Sequence, residues 1–135
     1  MKKVFEIEMK VRDYECDAQG IVNNANYLHY MENTRHEFMM SLGTSFVESH
    51  ANGVDPVLAR ADLRYKTPLT GSQAFLSSLT VERKGVKMIF NQTIRRKSDN
   101  EICCTGTIEA VILVDGKLSR GDHYDELMKE YLKDN

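Results

Sequence analysis

A carboxylate, a backbone hinge and two amides fall within residues 17–24, as Asp17, Gly20, Asn23 and Asn24 in the stretch CDAQGIVNNANYLHYMENTR. A helical pattern starts immediately after them. The first turn of a helix carries N–H groups without internal partners, and its aligned peptide dipoles make that end positive. It therefore attracts anions, including oxygens that become anionic during a reaction. A carboxylate brought there by a glycine hinge has two possible uses. It can cap the helix, as Asp does in ordinary turns. It can also act as nucleophile or general base on a carbonyl whose oxygen the helix start receives.

Rival groups lie close by. Cys16 sits between Glu15 and Asp17, whose charges disfavour a thiolate, and no activating base adjoins it in sequence. A small packed residue is the plainer reading. Glu32 lies more than two turns into the helix, where a surface or interface role fits. His29 and His36 are two turns apart and share a face, but no further ligands accompany them, so polar packing fits better than a metal. Asn23 and Asn24 are both good N-caps, and either could also orient water or substrate. The basic residues Arg60, Arg64, Lys66, Arg83, Lys84, Lys87, Arg95, Arg96 and Lys97 are the pool for contacts to phosphate; most are ordinary solvated charges.

Bulk properties narrow the class. The 135 residues suit one domain, 1–135, and a composition of 41% hydrophobic and 28% charged residues can bury an ordinary core. A net charge of −2 argues against nucleic-acid binding. Cys16, Cys103 and Cys104 are odd in number and two are neighbours, which rarely pair on a strand. Reduced thiols in the cytoplasm are the expectation. The start, MKKVFEIEMKVRDYE, has no apolar run and does not read as a signal peptide. No stretch approaches about 18 apolar residues, so no membrane span is expected.

The elements that must position Asp17 follow from periodicity. Residues 3–11 alternate, with Phe5, Ile7, Met9 and Val11 on one side, as a half-buried strand does. Tyr27, Met31, Thr34, Phe38 and Leu42 mark the apolar face of a helix of about nineteen residues that stops at Gly43. His29, Glu32, Arg35 and His36 fall on its other side. Residues 44–56 read as a loop. Four strands follow, over about 57–66, 73–83, 86–97 and 101–114. In the first, Val57, Ala59, Ala61, Leu63 and Tyr65 share a face. Val86, Met88, Phe90 and Ile94 do so in the third, and Ile102, Cys104, Ile108, Ala110, Ile112 and Val114 in the fourth. Lys84-Gly85 makes a tight turn. Residues 122–133 carry helical spacing. Short links favour an antiparallel sheet packed on the long helix, an α+β layer whose open edges invite dimerisation.

The run Tyr14-Glu15-Cys16-Asp17-Ala18-Gln19-Gly20-Ile21-Val22, with Asn26-Tyr27, Tyr30-Met31-Glu32 and Arg35, resembles the hotdog-fold acyl-CoA thioesterases of the 4-hydroxybenzoyl-CoA thioesterase-like branch. Residues 61–71, ADLRYKTPLTG, are similar to that family's strand ending in a tyrosine, a proline and a glycine. The resemblance implies a hotdog fold: a five-stranded antiparallel sheet wrapped around a long central helix, with a short C-terminal helix. It implies hydrolysis of an acyl-CoA thioester without metal or other cofactor. Asp17 takes the catalytic carboxylate's place, the backbone near Asn24 the oxyanion donor's, and Asn23 stands beside them. Gly20, Ile21, Val22, Tyr27 and Arg64 fall at substrate-binding positions. A homodimer or homotetramer with sites between subunits is implied too. Where many relatives carry an aromatic residue or histidine, this chain has Asn23 and Asn24, a version similar to that of fatty-acyl thioesterases. Ser72-Gln73 follows Gly71 where an acid is common. An acyl-carrier-protein thioesterase and a non-catalytic acyl-binding protein are the alternatives.

Overall fold

Alternation and helical spacing become layers in the computed structural model, which describes residues 1–133. Strand β1 (Phe5–Lys10) leads through a 3-10 turn at Asp13–Glu15 to the long helix α1 (Asn24–Ser41). A short helix α2 (Phe46–Ala51) follows, then β2 (Val54–Tyr65), β3 (Ala74–Lys84), β4 (Lys87–Arg96), β5 (Ile102–Val114), the two-residue β6 (Lys117–Leu118) and α3 (Lys129–Leu132). The strands form one antiparallel sheet in the order β1-β3-β4-β5-β2, and β6 adds to β5. This is the helix-on-sheet layer expected from the pattern, with β6 as a small addition.

α1 buries Tyr27, Tyr30, Met31, Thr34, Phe38 and Met39 against the inner face. Phe38 lies among Leu79, Val81, Phe90 and Ile108, while Tyr30 and Met31 join Phe75, Leu69 and Ile94 under the helix start. Each such side chain contributes about 1.5–3 kcal/mol by leaving water. Close approach of helix to sheet requires Gly106, because a Cβ there would sit 2.7 Å from the Met31 sulfur. Arg35, expected on the polar side, is buried instead: its Nη1 donates to Gln92 Oε1 at 2.8 Å, and Gln92 Nε2 donates to the Met31 carbonyl at 3.0 Å.

Several expectations give way to local geometry. Residues 44–56 hold α2, whose start Ser45 caps by accepting from Glu48 N, and β2 begins at Val54. The β3–β4 turn is Gly85-Val86, since Lys84 pairs with Lys87, so Val86 is exposed in the turn and not inward on a strand. The register of β2 shifts between Leu58 and Arg60. That bulge puts Leu58, not Ala59, on the inner face with Ala61, Leu63 and Tyr65, because directly paired residues share a face. A second shift, between Ile94 and Arg95, pairs Ile102 with the outward Arg95 and lets both Cys103 and Cys104 be buried. In the tail the helix shortens to Lys129–Leu132, although Tyr124, Met128 and Tyr131 still pack inward.

The outer face of the sheet is polar. One row across it reads Glu6, Ser78, Thr93, Thr105 and Arg64. β2 closes one side of the sheet as an edge strand and leaves Val57 43%, Leu58 46% and Tyr65 52% exposed. Replacing Phe38 with alanine removes the ring at the centre of the larger cluster. Urea denaturation of Phe38→Ala is expected to show a loss of about 3–5 kcal/mol.

Candidate active site

Residues 16–22 form a miniature hairpin. Cys16 bridges Val22, Asp17 N donates to the Ile21 carbonyl at 2.8 Å, and Gly20 N donates to the Asp17 carbonyl at 3.0 Å. Gly20 has φ +78, a left-handed conformation that glycine adopts without steric cost, so the hinge expected from sequence is present. The Asp17 carboxylate accepts from Gln19 N through Oδ1 at 2.8 Å.

Two neighbours pin this hairpin. On one side Val22 N donates to the Leu69 carbonyl, Ile21 bridges Thr70, and Leu69 N donates to the Tyr27 hydroxyl at 3.1 Å. On the other side stands Glu15. Its backbone carbonyl accepts from Asn23 N at 3.0 Å and Asn26 Nδ2 at 2.8 Å. Its buried carboxylate accepts from Arg12 N at 2.7 Å and the Tyr30 hydroxyl at 2.9 Å. Burial first, and then the hydrogen bond and charge of Glu15, push the Tyr30 phenol above its ordinary range, so it stays a donor.

The start of α1 is accounted for donor by donor. Asn23 N is taken by Glu15, Ala25 N by the side-chain oxygens of Asn23 and Asn24, each at 3.0 Å, and Asn26 N by the Asn23 carbonyl. Asn24 N–H is the one backbone donor of residues 23–26 left without a hydrogen bond among the described residues. It belongs to the residue that opens a cavity of about 290 Å³, lined by Asp17, Ile21, Val22, Asn24, Tyr27, Tyr65, Lys66, Pro68 and Cys103. Asn24, with its free backbone donor at the helix start, and the acid Asp17 thus line one largely apolar hollow. Asn23 is the cap itself and does not line it.

Arg64 is elsewhere. It pairs with Thr105 on the outer face and lies 3.8 Å from Asp62, so the position implied for substrate contact faces away from Asp17. The reason is alternation: Tyr65, its neighbour, points inward. Of the nine basic residues considered from sequence, Lys66 lines this cavity. Most of the others meet acids, as Arg60 and Lys87 meet Glu109, and Arg95 meets Glu6. Glu32 lies in a different cavity, farther along α1. His29 contacts Asn26 Oδ1 at 3.2 Å and His36 stacks on Phe46. Among the described residues no three His, Cys, Asp or Glu side chains group closely enough to hold a metal ion.

Sequence reasoning missed Tyr65, Glu15 and Asn26. Tyr65 donates from its hydroxyl to the Asn24 carbonyl at 3.2 Å and stacks edge-on with Tyr27. Its signal was the inward parity of the strand before Pro68. Glu15 and Asn26 had no such signal, because their bonds depend on how the hairpin folds back.

The chain belongs to the thioesterase-like superfamily, whose family model matches residues 11–125. It is 35% identical over 97 residues to the acyl-acyl carrier protein thioesterase ATL2 of Arabidopsis thaliana, covering 71% of this chain and 52% of that one. The chain spans about half the length of the chloroplast thioesterases it matches. Among solved structures it is similar to a DHNA-CoA thioesterase from Staphylococcus aureus, with TM-score 0.83, 20% identity and coverage of 95% of this chain and 88% of that chain. It is also similar to the 12:0-ACP thioesterase of Umbellularia californica, with TM-score 0.83, 17% identity and coverage of 98% and 51%. These likenesses establish the hotdog fold.

Two outcomes follow from this geometry. Partial burial, and then the charges of Asp13, Asp17 and Glu15, raise the Cys16 thiol above its ordinary pKa. Alkylation of Cys16 by iodoacetamide, followed by peptide mass mapping, is expected to be slower at neutral pH than for a free cysteine and to rise as pH passes the ordinary thiol range. Tyr30→Phe removes the donor to the buried Glu15. A stability loss of about 1–3 kcal/mol is expected by urea denaturation.

Proposed function

We propose that the protein hydrolyses acyl-CoA thioesters to a free acid and CoA. The observation that carries this reading is that Asp17 and Asn24, whose backbone N–H is unpaired among the described residues, line one cavity. A thioester carbonyl placed there would direct its oxygen at Asn24 N–H and its carbon toward Asp17. One such donor can be worth about 10²–10³ in rate. Asp17 then acts in one of two ways. As nucleophile it attacks the carbonyl carbon, the carbon–sulfur bond breaks, CoA leaves as thiolate, and water cleaves the resulting anhydride. As general base it takes a proton from water while the water oxygen attacks the same carbon; the tetrahedral intermediate then breaks its carbon–sulfur bond, and CoA leaves with the proton returned to its sulfur. Asn23 supports this by capping the helix, and Ile21, Val22, Tyr27 and Tyr65 offer apolar contact to the acyl group. Lys66 at the cavity wall is the candidate contact for a CoA phosphate.

A second reading keeps the chemistry and changes the carrier. The match to plant acyl-acyl carrier protein thioesterases favours it. Turnover of one acyl group presented on CoA and on acyl carrier protein separates the two. A higher kcat/KM on CoA supports the first, and hydrolysis confined to the carrier protein overturns it.

We also infer a dimer, or a dimer of dimers. Strand β2 has a free edge, and Val57, exposed on its outer side, gives a second copy apolar surface to cover. Light scattering at micromolar concentration is expected to return at least twice the chain mass; a monomer active on thioesters would refute it. Among the described residues no helix is long and apolar enough to cross a membrane.

The decisive variant is Asp17→Asn, which keeps size and capping ability but removes charge and basicity. Turnover is expected to fall at least ~10²-fold with the fold intact, whereas Cys16→Ala retains most activity. Near-normal turnover in Asp17→Asn with an inactive Cys16→Ala would hand the chemistry to the thiol. Hydrolysis is expected to survive EDTA; loss on chelation and rescue by one metal would reveal a metal-dependent step.

A further inference from the structure

α1 packs most closely on β3 and β1 and leaves two cavities along its border with β2. Tyr65 and Asn24 mark the first, beside Asp17. The second, of about 240 Å³, lies at the other end of β2, between Arg35 and Glu32 of the helix, Pro56 and Leu58 of the strand, and Phe46 and Phe90. From Asn24 to Arg35 the helix rises about 16 Å at 1.5 Å per residue. The inward residues of β2 between the two ends are Ala61 and Leu63.

Arg35 is what makes the second cavity unusual. It is 4% exposed, yet its guanidinium makes a single hydrogen bond, from Nη1 to Gln92 Oε1. Among the described residues it has no ion pair, and Gln92's amide nitrogen is already committed to the Met31 carbonyl. A guanidinium has five N–H groups, so the remaining donors are unused. Arg35 is one of the residues that line the second cavity. Burial lowers its pKa, with the nearby Glu32 partly offsetting that cost. Two acids also line the cavity, but neither forms an ion pair with Arg35: Glu32 is exposed, and Asp55 is engaged by His50 Nδ1 at 2.6 Å. A buried cation with idle donors is costly unless an acceptor arrives.

We propose that this cavity receives the far end of the acyl chain, where Arg35 donates to an oxygen, so that the enzyme prefers medium-length acyl thioesters with a distal hydroxyl or carboxylate. The inference rests on the thioesterase reading and names its substrate class. The chain would run from the carbonyl at Asn24 over Ala61 and Leu63 and end at Arg35.

The test compares kcat/KM of the full chain for decanoyl-CoA and dodecanoyl-CoA with that for their ω-hydroxy and ω-carboxy counterparts. One hydrogen bond to a charged donor corresponds to a preference of roughly tenfold to a hundredfold for the oxygenated chain. Preference for both counterparts identifies a donor to any oxygen; preference for the carboxylate alone identifies charge pairing, and both support the site. In Arg35→Met the ratio is expected to collapse toward one. Leu58→Trp, at an exposed position, narrows the cavity without touching Arg35 and is expected to do the same; it decides alone if Arg35→Met does not fold. Equal rates in the wild type, or a preference that survives either folded variant, overturns the inference. So does a folded Arg35→Met that light scattering finds dissociated, because the donors would then serve a second copy. If no thioester is hydrolysed, the thioesterase reading fails instead. Calorimetry with dodecanoate and ω-hydroxydodecanoate then settles the cavity: tighter binding of the hydroxy acid, lost in Leu58→Trp, supports it, and equal binding overturns it.

Discussion

Glu15 ties the two halves of the site to each other. Its carbonyl holds the start of α1 through Asn23 and Asn26, and its carboxylate holds the middle of the same helix through Tyr30. Asp17 is only two residues away on a hairpin closed by its own hydrogen bonds. The carboxylate and the free Asn24 N–H therefore keep their spacing without a direct bond between them. A buried carboxylate is tolerated because Arg12 N and the Tyr30 hydroxyl both donate to it. Loss of either donor would leave an oxygen of the buried carboxylate short of a partner, which costs stability.

The sheet serves this arrangement by being asymmetric about α1. The helix start lies over Phe75, Leu69 and Ile94, which give it a rigid floor. Toward β2 it meets cavities instead, and the tyrosine at the end of that strand reaches across to Asn24. Packing thus confines motion on one side and leaves room for a ligand on the other. The polar outer face, with its row of hydroxyls, takes no part in the site.

What the sequence made legible was whatever repeats or sits in order along the chain. The α1 face from Tyr27 to Phe38, the strand alternation, the Gly20 hinge and the placing of Asp17 ahead of the helix could all be read directly. What escaped were register and partners. The bulge at Ala59 exchanges Leu58 into the inner face, and the irregularity at Cys103 sends Ile102 outward. Either changes parity without changing composition. Arg35 looked like a surface cation because its acceptor, Gln92, comes from a strand far along the chain. Arg64 lies on the opposite face of β2 from Tyr65; a motif names a position and not the face it occupies.

The bonds that hold Glu15 to α1 join residues 8, 11 and 15 apart in sequence. The pairing of β1 with β3, by contrast, joins Phe5 to Leu79. Closing a short loop sacrifices less chain entropy than closing a long one, and contacts between near neighbours do not have to wait for distant strands to meet. In folding terms the parts of the candidate site form a local unit and the sheet that shelters them is non-local. The candidate site is encoded in one short stretch near the start of this sequence, and most of the remaining residues build the container around it.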